Sequence, residues 1–294
     1  MKKTVLLYLA LFMAWGAAAQ SEKDTTWKSG TSGTITFSQV SLSNWAAGGE
    51  NSYSADGQFD FFANYKKNKT SWKNTLNTAY GLVKIIDDNL KKSNDQVDFE
   101  SKLGYDAAKL WNYSIMFNFR TQFTEGYNYG TEPRTLISDF MAPAYMTLSA
   151  GMDYQPSEHL SVFLSPLSGK TTIVNNDSLS DIGAFGVTPG NTSMHEYGAM
   201  VKVKFEKDIV ENINFGTKAD FFSAYNNNPE NIDVNWEVMI NMKVNKYFSA
   251  NLRTHLIYDH DTRIANNAGI KKPRVQFKES FGFGIRYQFP EKTE

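Results

Sequence analysis

From Gln276 to Phe289 the chain alternates. Phe277, Phe281, Phe283, Ile285, Tyr287 and Phe289 share one face, broken only by Glu279, and Lys278, Ser280, Gly282, Gly284, Arg286 and Gln288 share the other. A period of two sends successive side chains to opposite sides of a strand. The pattern recurs. Tyr53, Phe59, Phe61 and Tyr65 oppose Asp56, Gln58, Asp60 and Lys66. Trp111, Tyr113, Ile115, Phe117 and Phe119 oppose Asn112, Ser114, Asn118 and Arg120, and Trp236, Val238 and Ile240 oppose Asn235, Glu237 and Asn241. An aromatic, apolar face set against a charged one suits strands with lipid outside and a wet interior. Twelve such strands are predicted. The first, over 33–42, shifts phase and is expected to hold a bulge. The seventh, over 159–167, meets Pro166, which predicts a bulge or a strand end there.

The connections carry a second signal. Links at 67–70, 108–110, 155–158, 207–210 and 245–247 are short, whereas those at 44–51, 86–94, 125–140, 168–195, 226–231 and 260–273 are longer. Short turns on one rim and long loops on the other is the layout of an outer-membrane barrel. The fold class expected is therefore all-β: a transmembrane antiparallel β-barrel of about twelve strands, outer-membrane type. Its even strand count puts both ends of the barrel on the short-turn, periplasmic rim.

Composition narrows the setting. Phe, Tyr and Trp make up 14% of the residues, there is no cysteine, and the formal net charge is −1. Structural disulfides and Cys-ligated metals are thereby excluded, and no basic footprint for nucleic acid exists. Lys2 and Lys3 precede an apolar run that ends in Ala17-Ala18-Ala19, the layout of a secretory signal peptide. The expected organisation is a signal peptide over 1–19, a short periplasmic lead-in over 20–32, one barrel over 33–290 and a polar tail over 291–294. The expected location is the outer membrane of a Gram-negative cell. The expected partners are outer-membrane lipid and, during biogenesis, the barrel-assembly machinery; no cofactor is expected.

Several segments carry a resemblance. Asn44-Trp45-Ala46-Ala47-Gly48-Gly49-Glu50-Asn51, Thr121-Gln122-Phe123, Phe140-Met141-Ala142-Pro143-Ala144-Tyr145, Leu164-Ser165-Pro166-Leu167-Ser168-Gly169-Lys170 and Tyr258-Asp259 stand in order along the chain. Together they resemble an uncharacterised family of envelope proteins of Bacteroidetes-type bacteria, domain of unknown function 3078. The resemblance implies an outer-membrane β-barrel and no particular activity.

The candidate chemistry lies on the inward faces. Glu100, Arg120, Lys202, Lys204, Glu237, Arg253 and Arg286 are the lumen candidates. They fit either a narrow channel or uptake pore for small solutes, tuned by mixed charge, or a closed interaction barrel in which the charges satisfy one another. Trp45 and Glu50 are the loop candidates, for a ligand-binding rim or for a structural turn with Trp45 in the interfacial aromatic belt. Asp87, Asp88 and Asp95, and Asp259 with Asp261, match no calcium-loop spacing, so no metal site is expected. A lipid-active enzyme would need a histidine-activated serine on the lipid-facing wall. His255 points inward by parity and His260 falls in a loop, so no catalytic residue is expected.

Overall fold

The computed structural model describes residues 26–41, 51–86, 88–245, 247–265, 270–289 and 292–293, with the side chains of residues 40, 265, 271, 286, 288, 292 and 293 left aside. The expected signal peptide, Trp45, Glu50 and Asp87 lie outside the described residues. The barrel strands are β1 (Trp27–Val40), β2 (Ser52–Lys67), β3 (Thr70–Ile85), β4 (Leu90–Ala108), β5 (Trp111–Thr121) and β6 (Ala144–Tyr154). They continue as β7 (Leu160–Ile173), β8 (Ser193–Val210), β9 (Ile213–Ala224), β10 (Ile232–Lys243), β11 (Phe248–Tyr258) and β12 (Gln276–Gln288). Each pairs antiparallel with its sequence neighbour, and β12 closes on β1 from Ser32↔Gln288 to Phe37↔Phe283. The result is a closed twelve-stranded antiparallel barrel, and among the described residues no helix is long and apolar enough to cross a membrane.

The distribution of side chains is inside-out. Asp98, Asp153, Glu196, Lys202 and Asp220 are buried, while Phe37, Tyr113, Leu148, Leu167, Phe277, Phe281 and Phe283 are exposed. A water-soluble monomer does not carry a continuous apolar surface of that extent. Closure leaves the wall without a free edge, so backbone groups are satisfied within it and the exterior can face hydrocarbon. Aromatic rings gather at the short-turn rim: Trp27 packs on Tyr65 (5.3 Å) and Trp72 (5.8 Å), and Trp111 on Tyr154 (4.8 Å). Amphipathic rings at that level anchor a barrel at the membrane–water boundary.

Strand bounds depart from expectation where sequence signals conflict. β1 starts at Trp27, six residues earlier than expected, and pairs with β2 without a register shift, so it holds no bulge. Its phase shift is absorbed by polar residues at its outer end, Ser38 and Gln39, which are exposed. The expected link over 86–94 shrinks because β4 begins at Leu90, and its register slips near Ser93. The expected turn at 207–210 is strand with a bulge, and the turn is 211–212. Pro166 does make a bulge, seen as register shifts opposite both β6 and β8, and β7 then runs on to Ile173. A bulge leaves the extra residue unpaired, which accommodates a residue with no N–H. In the tail, Lys292 and Thr293 pair with Ser29 and Lys28 of β1.

Two-residue turns need a left-handed residue. Asn68 (φ 52°) and Asn212 (φ 64°) supply it at little cost. In the β4–β5 turn Leu110 adopts φ 68°, a conformation that crowds a bulky side chain.

Candidate functional site

Strand parity sends alternate residues of every strand into the lumen, and barrel closure decides which of them meet. In the middle layer Lys218 Nζ on β9 donates to Asp98 Oδ2 on β4 at 3.0 Å. Arg120 Nη2 on β5 donates to Asp220 Oδ2 on β9 at 2.6 Å, and its Nε lies 3.5 Å from Asp98 Oδ1. Lys202 on β8 pairs with Glu100 on β4, and its Nζ is 3.4 Å from Asp220 Oδ1. Asn118 Nδ2 donates to Asp98 Oδ1 at 2.7 Å. The Lys218–Asp98, Arg120–Asp220 and Lys202–Glu100 pairs join β4 and β5 to β8 and β9, which are not neighbours in the wall, so they cross the lumen. Three carboxylates (Asp98, Glu100, Asp220) meet three cations (Arg120, Lys202, Lys218), and the layer is neutral.

Two further layers flank it. Towards the short-turn rim, Lys102 Nζ donates to Asp153 Oδ2 (2.6 Å) and to Ser161 Oγ (3.2 Å), and Ser161 Oγ donates to Asp153 Oδ1 (2.6 Å). Towards the outer mouth, Lys170 Nζ donates to Asp233 Oδ2 (2.6 Å) and lies 3.2 Å from Glu196 Oε2 and 3.7 Å from Asp259 Oδ2. Between the layers an apolar wedge of Met116, Phe163, Met200, Phe222 and Ala224 is buried on the inner side of β5 to β9. Met116 is 0% exposed and Phe163 1%. At that packing, water is excluded from this side of the lumen.

The sequence candidates fall into separate places. Glu100, Arg120 and Lys202 belong to the middle layer. Glu237 on β10 and Arg253 on β11 share the inner face with His255, whose Nε2 lies 2.8 Å from Asn235 Oδ1 and 3.9 Å from Glu237 Oε1. Lys204 stands apart, about half exposed and 3.5 Å from Glu206. Arg286 is opposite Thr34 on β1, its side chain outside the described set. The lumen candidates named from sequence omit Lys170, Glu196 and the apolar wedge, and although parity turns Lys218 and Asp220 inward it does not reveal that they pair across the lumen with Asp98 and Arg120. Lys170 falls in the expected 168–195 loop because Pro166 masks the strand that continues to Ile173. Met116, between inward Ser114 and Asn118, was the visible sign of an apolar interior.

A cap covers the outer end of this half of the barrel. The β5–β6 loop carries a hairpin (Gly126–Asn128 with Thr135–Ser138), and the β7–β8 loop carries a one-turn helix, α1 (Asp177–Ser180). Ala142, Val174, Leu179 and Val187 from these loops form their own buried cluster. Gln122 Nε2 donates to the carbonyls of Asp139 (2.7 Å) and Ala142 (3.2 Å), and Asn176 Nδ2 to Asp139 Oδ2 (3.0 Å). Asp95 accepts from Lys92 Nζ, Phe123 N and Thr124 N, tying the cap to β4. Gly186 (φ 83°) approaches so closely that an added Cβ would lie 2.7 Å from Asp261 Cβ, which links the cap to the β11–β12 loop. Asn227 Nδ2 donates to Asp261 Oδ2 at 2.9 Å. Burial, and then the carboxylates of Asp259 and Asp233, push the Asp261 carboxyl above its ordinary range. Asp95 and Asp259, whose spacing matches no calcium loop, are engaged by backbone donors. Among the described residues no group of three His, Asp or Glu is placed to hold a metal ion.

The histidines do not assemble a hydrolytic site among the described contacts. His255 faces the lumen, His159 Nδ1 lies 3.0 Å from the Glu206 carbonyl oxygen, and His260 Nδ1 lies 3.4 Å from the Tyr258 hydroxyl. His195 Nδ1 is 3.0 Å from Thr171 Oγ1 on the outer wall, and the described contacts give that ring no third partner.

Solved outer-membrane barrels are similar in architecture. The translocator domain of autotransporter NalP from Neisseria meningitidis is 10% identical over 97% of this chain and 96% of that one, with a TM-score of 0.36. An outer membrane channel from Pseudomonas putida F1 is 11% identical over 92% and 99%, with a TM-score of 0.39. Outer membrane phospholipase A from Escherichia coli is 9% identical over 91% and 94%, with a TM-score of 0.36. At such scores the likeness is barrel to barrel and carries nothing about activity. No curated protein sequence matches the chain. Over residues 37–127, which include the first of its motifs and Thr121-Gln122-Phe123, the chain carries the pattern of the family described as "Protein of unknown function (DUF3078)", the family that its motifs resemble.

Proposed function

We propose that the protein is an outer-membrane barrel whose lumen is shut at rest, and that its task is performed at its outer cap rather than by passive conduction. The observation that carries this reading is the neutral middle layer, with Lys218–Asp98, Arg120–Asp220 and Lys202–Glu100 spanning the lumen. Charges in a narrow interior that satisfy one another leave no selectivity ring for a passing ion. The apolar wedge beside them, Met116 with Phe163, removes the remaining space on that side. The cap supports the second half of the reading, because Ile137, Phe140 and Ile182 in its loops stay more than half exposed while its own core is buried. Exposed apolar residues beyond the membrane are suited to binding a partner.

A narrow solute channel is the competing reading. One observation favours it: Ser32, Thr34, Ser280 and Asn251 put small polar side chains on the inner face of β1, β11 and β12, away from the wedge. Single-channel recording of the mature chain in a planar bilayer separates the two. A closed barrel gives no discrete steps, and a triple variant Asp98→Ala, Arg120→Ala, Lys218→Ala gains them. Ion-selective steps from the unaltered protein would overturn the closed reading and restore the channel. An enzymatic role draws no support from the four histidines.

A further inference from the structure

The outer wall of β4 to β7 carries a hollow of about 710 Å³, lined by apolar and aromatic side chains. Its cause is local. Ala150 on β6 is a small outward residue opposite Ile115 on β5 and Leu167 on β7, and the Pro166 bulge pulls β7 out of regular register beside it, so that Leu164, opposite Met152, lines the hollow. The bulge brings the Leu164 carbonyl so near Gly151 that a Cβ there would lie 2.1 Å from the oxygen, so the wall at this point admits only glycine. Tyr105 and Tyr113 stand 53% and 60% exposed along the hollow, and Trp111 closes its lower end at the aromatic rim.

We propose that this hollow binds one acyl chain of a glycerophospholipid from the leaflet on the short-turn side, with the lipid phosphate held at Lys109. The proposal rests on the reading of the barrel as membrane-spanning. At hydrocarbon depth a hollow without polar partners does not retain water, and leaving it empty forfeits dispersion contacts along its whole lining. Hydrocarbon from the bilayer is the material at hand. From Trp111 to Ile115 the hollow runs about 13 Å along the strand at ~3.3 Å per residue, against the ~15 Å half-thickness of a bilayer core. Strands tilted by about 40° convert that length to about 10 Å of depth, so a chain entering at the rim is accommodated over about two thirds of its leaflet. Lys109, exposed in the β4–β5 turn and two residues before Trp111 in sequence, places a cation at the level of the lipid phosphate. Tyr105 and Tyr113 hydroxyls lie on the same outward faces of β4 and β5.

The test is native mass spectrometry of the full mature barrel, released from micelles after incubation with palmitoyl-oleoyl-phosphatidylglycerol. The unaltered protein should keep one lipid. Ala150→Trp, which fills the floor of the hollow, should reduce that species at least tenfold. Lys109→Glu should reduce it several-fold, and Leu256→Trp on the far wall should leave it unchanged. If Ala150→Trp does not fold, Leu164→Trp takes its place. Equal retention by the filled and unaltered barrels would overturn the proposal. So would a protein dimer that disappears on filling, which would assign the hollow to a second copy. Retention of diacylglycerol as strong as that of the phospholipid would overturn the role of Lys109. Failure of the unaltered barrel to insert into vesicles, read by its heat-dependent gel mobility, would instead strike the membrane reading itself.

Discussion

Asp98→Ala is the sharpest test of the closed lumen. Asp98 is 2% exposed, accepts hydrogen bonds from Asn118 and Lys218, and has Arg120 Nε 3.5 Å away. Its removal leaves three cations facing two carboxylates. Unit charges at the Lys218–Asp98 spacing attract by about 5 kcal/mol at an effective dielectric near 20. Some of that is returned, because the buried carboxylate no longer has to be desolvated. Truncating one partner of a buried pair costs about 3–5 kcal/mol, and that is the loss expected here. Lys218→Ala in the Asp98→Ala background should cost much less than in the unaltered protein, since its main partner is already gone. The coupling expected is about 2 kcal/mol, within the range for residues sharing one network. Urea unfolding of the vesicle-inserted barrel, followed by tryptophan fluorescence, supplies all four corners of the cycle. The loss should change little between low and ~1 M salt, because a buried pair is weakly screened. A loss under ~1 kcal/mol, with coupling under ~0.5 kcal/mol and strong salt dependence, would mean hydrated, independent charges. That outcome would refute the closed lumen without any conductance record.

Other expectations follow from single positions. Leu110→Asn should stabilise the barrel by about 1 kcal/mol in the same unfolding assay, because asparagine relieves the left-handed strain at φ 68°; a loss would show that the Leu110 side chain contributes more than its backbone costs. Leu179→Ala, in the cap cluster, should cost the cap about 2–4 kcal/mol. Hydrogen exchange should accelerate over 174–192 and leave β2 and β3 unchanged, and global acceleration would contradict a separately packed cap. Asp261→Asn concerns a carboxyl whose folded pKa is raised, so the native state holds that proton more tightly than the unfolded chain. Ionisation then weakens the fold as pH rises from the unfolded value through the raised one. The variant should therefore slow exchange in the β11–β12 loop at pH 7 and match the unaltered protein below about pH 4; faster exchange at pH 7 would reverse the sign.

Much of the wall was legible in the sequence because strand periodicity is local. Phe277 to Phe289 declares its outward face within one strand, and the placement of short turns and longer loops needs only the neighbouring segments. Even Pro166 could be read as a bulge, since a residue without an N–H must interrupt the ladder. The misreadings were also local. Polar residues near strand ends, as at 86–94 and 168–195, look like loops although the lumen accepts them, and at Lys170 the preceding Pro166 adds to that by masking the strand that continues to Ile173. The lumen was not legible. Parity points Asp98, Arg120, Lys202 and Lys218 inward but does not say which of them meet. Lys218 and Asp98 are 120 residues apart, and their contact depends on the stagger with which twelve strands close. The same holds for Met116, Phe163 and Phe222, apolar residues on the polar phase of their strands, which make sense only when they face one another. The cap depends on two loops meeting above the wall, and the hollow beside Ala150 on four strands and one bulge. The sequence by itself determined the strands, their two faces and the rim of each loop, because a period of two is a property of the backbone. Only the tertiary structure decided what fills the barrel and what covers it, because those contacts are set by closure and bring together residues that are distant in sequence.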